Sequence, residues 1–444
     1  MTAALHPPPQ TGDAARIDGE RQSQRLVTAF VISGLVFMLL PGTFLGVWNL
    51  LDISQGHRPE SVPQAWLQAH GQAQIFGWIG SFILGIGFYS LTKMKSTKTF
   101  PARAGWVAWT LWTAGVLMRW IGGVTGDAWR VLLPLSAAFE FAGFLFFYVS
   151  VRKHRPSSTG TKDKAWMRLV ACATIAFLAA LAVNGWMLFE QATRGTSPAL
   201  PHVADQQFVV LAVWGVLVPT IWGFNARWLP VFLGLQTPNQ TALYTAYALS
   251  IGGLIATFLQ CFPVAEVLFL LAVLLAIDAL HVWERSVNPP KLLNVHRAFP
   301  SFVRFAYGWL LISCLLAMTA ARWDVSGGVW GASRHALTVG FVAAMVFAIG
   351  QRVLPAFCGM RVLWSTGLMG WSLYLLFCGC LLRVIAEPLA YENIWAPAWK
   401  ILPVSAVVEL TAVSLFALNI GVTILRPRSL EAVERLSNPR AAVS

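Results

Sequence analysis

Residues 166–189 read WMRLVACATIAFLAALAVNGWMLF, and this stretch decides what kind of protein the chain is. From Leu169 to Phe189 there is no charged side chain, over a length that crosses a ~30 Å hydrocarbon core as a helix. Runs of the same kind recur on both sides of it. Helices are expected at about Leu26–Trp48, Pro63–Leu91, Ala104–Gly122, Val131–Val151, Trp166–Phe189, Phe208–Leu229, Ala242–Cys261, Val264–Val282, Phe302–Ala321, Gly328–Leu354, Val362–Ile385 and Ile401–Leu425. The fold class is therefore all-α: a polytopic membrane protein whose twelve transmembrane helices form one domain, 22–428. Residues 1–21 are polar and Pro-rich, with no apolar core of a signal peptide, and are expected to be a disordered cytoplasmic tail. Residues 429–444 are read as a second tail.

Composition agrees. Hydrophobic residues make up 57% of the chain and charged ones 11%, where a soluble domain carries about a quarter. The net charge of +13 has no soluble basic domain to sit on, so it argues for a bilayer partner and against nucleic acid. The 21 Trp and 28 Phe suit bilayer interfaces, and equally pockets for flat ring cofactors. Six cysteines, none in a C-x-x-C pair, read as small core residues.

The basic residues sit in alternate loops. Lys93, Lys95, Lys98 and Arg103 lie between helices 2 and 3, and Arg152, Lys153, Arg155, Lys162, Lys164 and Arg168 between 4 and 5. Arg285, Lys291, Arg297 and Arg304 lie between 8 and 9, and Arg426, Arg428, Arg435 and Arg440 follow helix 12. The opposite loops carry Asp52, Glu60, Asp127, Asp205 and Asp324. The positive-inside rule then places both termini in the cytoplasm.

Internal similarity is the next signal. Leu133-Pro-Leu-Ser-Ala-Ala-Phe-Glu140 in helix 4 matches Leu402-Pro-Val-Ser-Ala-Val-Val-Glu409 in helix 12. Gly115-x-x-x-Arg119 matches Gly379-x-x-x-Arg383, and His70 and His335 open the apolar parts of helices 2 and 10. The offsets are 264 for the arginines, 265 for the histidines and 269 for the glutamates. With Arg227-Trp-Leu-Pro230 echoing Arg352-Val-Leu-Pro355, three parallel repeats of four helices are expected at 22–155, 164–287 and 300–428.

Ionisable residues inside a membrane cost at least ~2.5–3.5 kcal/mol each and need a partner or a task. Arg119 with Glu140, and Arg383 with Glu409, read either as structural salt bridges or as arginines facing cofactor carboxylates with glutamates relaying protons. Glu266 stands as the middle counterpart of the glutamates. Asp278 and His281 fall on one face of helix 8, and there the structural reading is preferred. His70 and His335, at matched depth on different helices and flanked by small residues, suit axial ligation of a haem or joint binding of a metal. His202 is the middle repeat's candidate metal ligand, with an exposed loop histidine as the alternative.

At these residues the sequence resembles the NnrS family of bacterial membrane proteins. The likeness is sharpest at His335-Ala-Leu-Thr-Val-Gly340, with Met345 and Arg352 after it, and at Trp66–Gly87 with His70, Phe76 and Gly77. It implies an inner-membrane protein that binds haem b and, in some members, copper, and acts against nitric oxide stress. A more distant similarity runs to subunit I of haem–copper oxidases, which also has twelve helices and histidine ligands on helices 2 and 10. That family's copper histidines on helices 6 and 7 are missing here, so a complete terminal oxidase or nitric oxide reductase is not expected. The expected cofactor-binding residues are His70, His335, Arg119 and Arg383. His70, His335 and His202 are the expected metal ligands, and nitric oxide or a redox protein the expected partner. A transporter using the Arg/Glu pairs, or an oxidase-like electron-transfer subunit, is the alternative.

Overall fold

The computed structural model describes residues 11–92, 99–154, 165–359 and 361–426. Among these are twelve long helices and no strand. In chain order they are α1 Asp18–Gly56, α2 Gln64–Leu91, α3 Ala102–Thr125, α4 Trp129–Lys153, α5 Ala165–Arg194, α6 His202–Phe232, α7 Gln240–Phe258, α8 Phe262–Ala279, α9 Phe299–Trp323, α10 Gly328–Phe357, α11 Thr366–Tyr391 and α12 Ala398–Leu425. Eleven are long and apolar enough to cross a membrane. The exception, α3, is also 24 residues long, but its arginines and four tryptophans lower its hydropathy. Its indoles tie it to α1: Trp109 donates to the Ser33 hydroxyl at 2.9 Å and Trp120 to the Pro41 carbonyl at 3.2 Å. The chain is a multi-pass membrane protein.

Helix ends differ from the expectation where protein contacts, not lipid, set them. Helical structure begins at Thr11, inside the segment 1–21 read as a tail. Good helix formers and a bond from Gln22 to Asp18 at 2.7 Å support that lead-in. At its far end α1 continues past Trp48 because Leu50 and Ile53 bury themselves against Val62, Ala390, Trp399 and Leu402. Asp278 and His281 do not share a helix face. Helix α8 stops at Ala279, and His281 turns into the left-handed region (φ 54°) to meet Glu284 at 2.7 Å. The basic residues Lys93, Lys95, Lys98, Arg155, Lys162, Lys164, Arg428, Arg435 and Arg440, with the segments 1–10 and 429–444, lie outside the described residues.

Three helices make the inside of the bundle. The most apolar windows of α2, α6 and α10 are 67%, 61% and 78% buried, against 28–50% for α4, α5, α7–α9, α11 and α12. Only α1, at 61%, is comparably enclosed. Each inner helix contains a π-helical stretch, Ala73–Gly80, Leu211–Leu217 and Ala336–Ala343, and α1 has another at Met38–Phe44 around Pro41. Such a stretch accommodates an extra residue, and π turns gather at functional sites.

The outer pairs α3/α4 and α11/α12 cross in the same manner. A Cβ on Gly115 would lie 2.9 Å from Cγ of Glu140 and 2.9 Å from the Ser136 carbonyl. On Gly379 it would lie 2.5 Å from Cγ of Glu409 and 3.2 Å from the Ser405 carbonyl. In both pairs glycine lets the backbones meet. Finally, α1 packs along α12, so the first and last helices are neighbours.

Candidate functional site

His70 is seated by glycines on α1. Its Nδ1 lies 2.8 Å from the Gly42 carbonyl, in the π-helical stretch that Pro41 opens. A carbonyl can only accept, so the proton is on Nδ1 and the Nε2 lone pair is left free. A Cβ at Gly46 would come within 2.5 Å of Cε1, so the ring is packed closely against that turn. Gln74, one turn on, donates to Thr43 at 2.9 Å and locks α2 to the same stretch.

His335 is held the same way from within its own helix. Its Nδ1 is 3.1 Å from the Gly331 carbonyl and 3.5 Å from Oε2 of Glu387 on α11. A Cβ at Gly331 would run into Oε1 of Glu387, so this glycine admits the carboxylate. The side chain of His335 remains 29% accessible. Neither histidine's Nε2 has a hydrogen-bond partner among the described residues. This contrasts with His154, whose two nitrogens meet the Ser150 and Thr99 carbonyls at 2.7 and 2.9 Å and simply tie a loop.

The two imidazoles belong to one electrostatic neighbourhood. His70 interacts with His335 and Arg383, and His335 with Glu387 and Glu409. The cluster continues through Arg334 to Asp205 and from Asp205 to Arg119. Helices α2, α3, α6, α10, α11 and α12 thus converge at one end of the bundle.

The arginine partners differ from the pairs expected. Arg383 pairs with Glu387, four residues on in the same helix: Nη2 donates to Oε1 at 3.1 Å, and Nε lies 3.0 Å from Oε2 as an ion pair. Glu409 is a turn deeper, pressed against Gly379, and its Oε1 is buried without a partner. Arg119 has no carboxylate within salt-bridge distance among the described residues. Instead both oxygens of Glu140 accept from the Gln72 amide at 3.2 Å. Arg119 and Arg383 are 6% and 7% exposed, and Nε of Arg119, Nε of Arg334 and Nη1 of Arg383 are buried with no acceptor. Buried guanidinium donors without acceptors cost free energy, and a carboxylate-bearing guest would satisfy them.

His202 lies at the edge of this cluster. It is exposed at the start of α6, meets Gln206 at 3.4 Å and interacts with Asp205, the more buried residue of α6 that faces Arg334 and Arg119. Among the described residues no group of three or more His, Cys, Asp and Glu is placed to hold a metal ion. Sequence reasoning missed Asp205, Arg334, Glu387 and Gln72. Arg334 adjoins His335 and Glu387 follows Arg383 by one helical turn, so both carried a local signal.

A polar clasp fixes the start of α10. Asp324 accepts from the backbone N–H of Gly327 at 2.8 Å and of Trp330 at 2.7 Å. Glu392 accepts from the hydroxyl and the N–H of Ser326, at 2.5 and 3.1 Å. The Ser326 hydroxyl holds Glu392 below the usual carboxylate range, while burial pushes Asp324 up.

The residues that could hold a cofactor here are two imidazoles with free Nε2 and oriented Nδ1–H groups, beside orphaned arginine donors suited to carboxylates. No curated protein matches the chain. The NnrS family, described as NnrS protein, matches residues 28–428, nearly the whole sequence, and the chain belongs to that family.

Proposed function

We propose that this protein is a haem-binding protein of the bacterial inner membrane that acts in the response to nitric oxide, with His70 and His335 as axial ligands. The observation that carries the reading is the shared seating of the two rings. Each Nδ1 faces a backbone carbonyl, each Nε2 is free, and both rings lie in one cluster. Such outer contacts orient ligating histidines and raise their basicity. A bound haem held by two histidines would supply a one-electron couple. Arg119, Arg334 and Arg383 would hold its carboxylates, and Glu387 would keep His335 in its tautomer. Copper suits the same nitrogen donors, and iron and copper analysis separates the two.

The orientation follows the loop charges, with both termini cytoplasmic and the histidine end outward. The matched Gly115/Glu140 and Gly379/Glu409 crossings and the π stretches of α2, α6 and α10 support three repeated four-helix units.

The test is a reduced-minus-oxidised spectrum of the purified protein with metal analysis. The wild type is expected to show a haem band that His70→Ala and His335→Ala each lose. A wild type free of iron and haem, or an undiminished band in both variants, rejects the ligand pair.

A further inference from the structure

Below the histidine cluster, where the π stretches end, the three inner helices line a half-open apolar cleft of about 100 Å³. Its wall includes Ile79, Phe82 and Ile83 of α2, Leu217 of α6, and Met345 and Gly350 of α10. Along α2 and α10 it lies about 13–15 Å from the histidines, nine residues past His70 and ten past His335. Between cavity and cluster the rings of Phe76 and Phe208 stack at 5.6 Å.

The wall has few polar groups to offer. The amide of Asn225 is spent on the Tyr307 hydroxyl at 2.8 Å, the indole of Trp228 is half-buried, and Thr220 adds one hydroxyl. A buried water needs two to four polar partners, so such a space stays dry. It is also smaller than the roughly 150 Å³ cavity that admits benzene.

Gly350 shows that close packing does not require the space. Other buried helix glycines permit close contact: a Cβ on Gly85 would meet Phe30 at 2.8 Å, and on Gly253 Phe269 at 2.6 Å. On Gly350 it would meet nothing nearer than Leu354 Cδ1 at 3.5 Å. Glycine is a poor helix former, and here its missing side chain leaves room instead of a helix contact.

We propose that this cavity is a dry binding site for one small apolar molecule of the diatomic-gas class, taken up from the bilayer along the axis of α2, α6 and α10. The site stands on its own geometry; that the gas is nitric oxide bound for the histidine end rests on the function proposed above. Apolar gases dissolve better in hydrocarbon than in water, so a membrane-level store raises their concentration beside the cluster.

Xenon is the probe. The full chain, purified in lipid nanodiscs, is titrated with xenon by NMR, and wild type is compared with Gly350→Ala, Gly350→Leu and Val346→Phe. Wild type is expected to show one saturable site, weakened in Gly350→Ala and weaker by about tenfold or more, or lost, in the two larger variants. The single added methyl of Gly350→Ala makes only ordinary contacts, so it reports even where a larger variant fails to fold. No saturable xenon in wild type, an unchanged affinity in Gly350→Ala, or a lipid acyl chain resident in the cavity overturns the proposal. Xenon bound without haem leaves the cavity standing and removes the histidine reading; haem without xenon does the reverse.

Discussion

The Gly42 carbonyl and the His70 ring, 28 residues apart in sequence, meet at 2.8 Å, and the ring then rests on the bare backbone of Gly46. The orientation of the His70 ring therefore depends on a different helix from the one that carries it. Gly46→Ala places a methyl 2.5 Å from Cε1 and should push the ring off its carbonyl. Haem content is expected to fall by roughly tenfold, the usual cost of losing an orienting contact, with the fold retained. The haem-to-protein ratio and the elution volume of the purified variant measure both.

Glu387 is buried between Arg383 and His335, so removing its charge strands a guanidinium in the interior. Glu387→Gln should destabilise the protein by about 3 kcal/mol or more, because an unpaired buried charge costs more than the pair contributes. Glu409→Gln leaves the pair intact and should cost clearly less. Thermal unfolding in detergent compares the two; a larger loss in Glu409→Gln would mean that Glu409, not Glu387, is the working partner.

Gly115 and Gly379 hold their helix pairs together through matching contacts with Glu140 and Glu409. Each Gly→Ala change should cost roughly 1–3 kcal/mol, since the nearest atoms include backbone that cannot yield. Gly308→Ala and Gly421→Ala meet nothing within 4 Å and should be neutral or stabilising. Melting temperatures of the four variants decide it.

Acid should loosen the clasp at α10. Glu392 titrates below its unfolded value because it accepts from Ser326. Its contribution is thus complete above the ordinary glutamate value of about 4.3 and is lost as pH falls below it. Asp324, pushed up by burial, acts in the opposite sense, since protonation relieves its cost. Stability measured against pH should decline in wild type below that point and stay flatter in Glu392→Gln. Parallel curves would exclude Glu392 as the source.

The twelve helices were legible because an uncharged run of bilayer length has few other uses. Helix ends were not, since Leu50 and Ile53 extend α1 by packing on Trp399 and Leu402, contacts that composition does not reveal. The π stretches were hidden for a related reason: an inserted residue shifts the apolar phase without changing residue types. Within the site, matched spacing singled out His70, His335, Arg119 and Arg383, but spacing reports sequence order and not reach. Arg383 found a carboxylate one turn away on its own helix, and on α6 it was Asp205, three residues past His202, that met the arginines of the cluster. The glycines under His70 sit on another helix, where nothing in the sequence marks them as its seat.

Because α1 lies along α12, the first and last helices of the bundle are packed against each other. Residues Arg21, Gln24, Arg25 and Thr28 at one end of the chain even share a cavity with Ile424 at the other. Where the polypeptide starts is then a matter of genetics more than of mechanics. A circularly permuted gene, joined across that gap and opened in a loop between two other helices, should still assemble the same cluster of side chains.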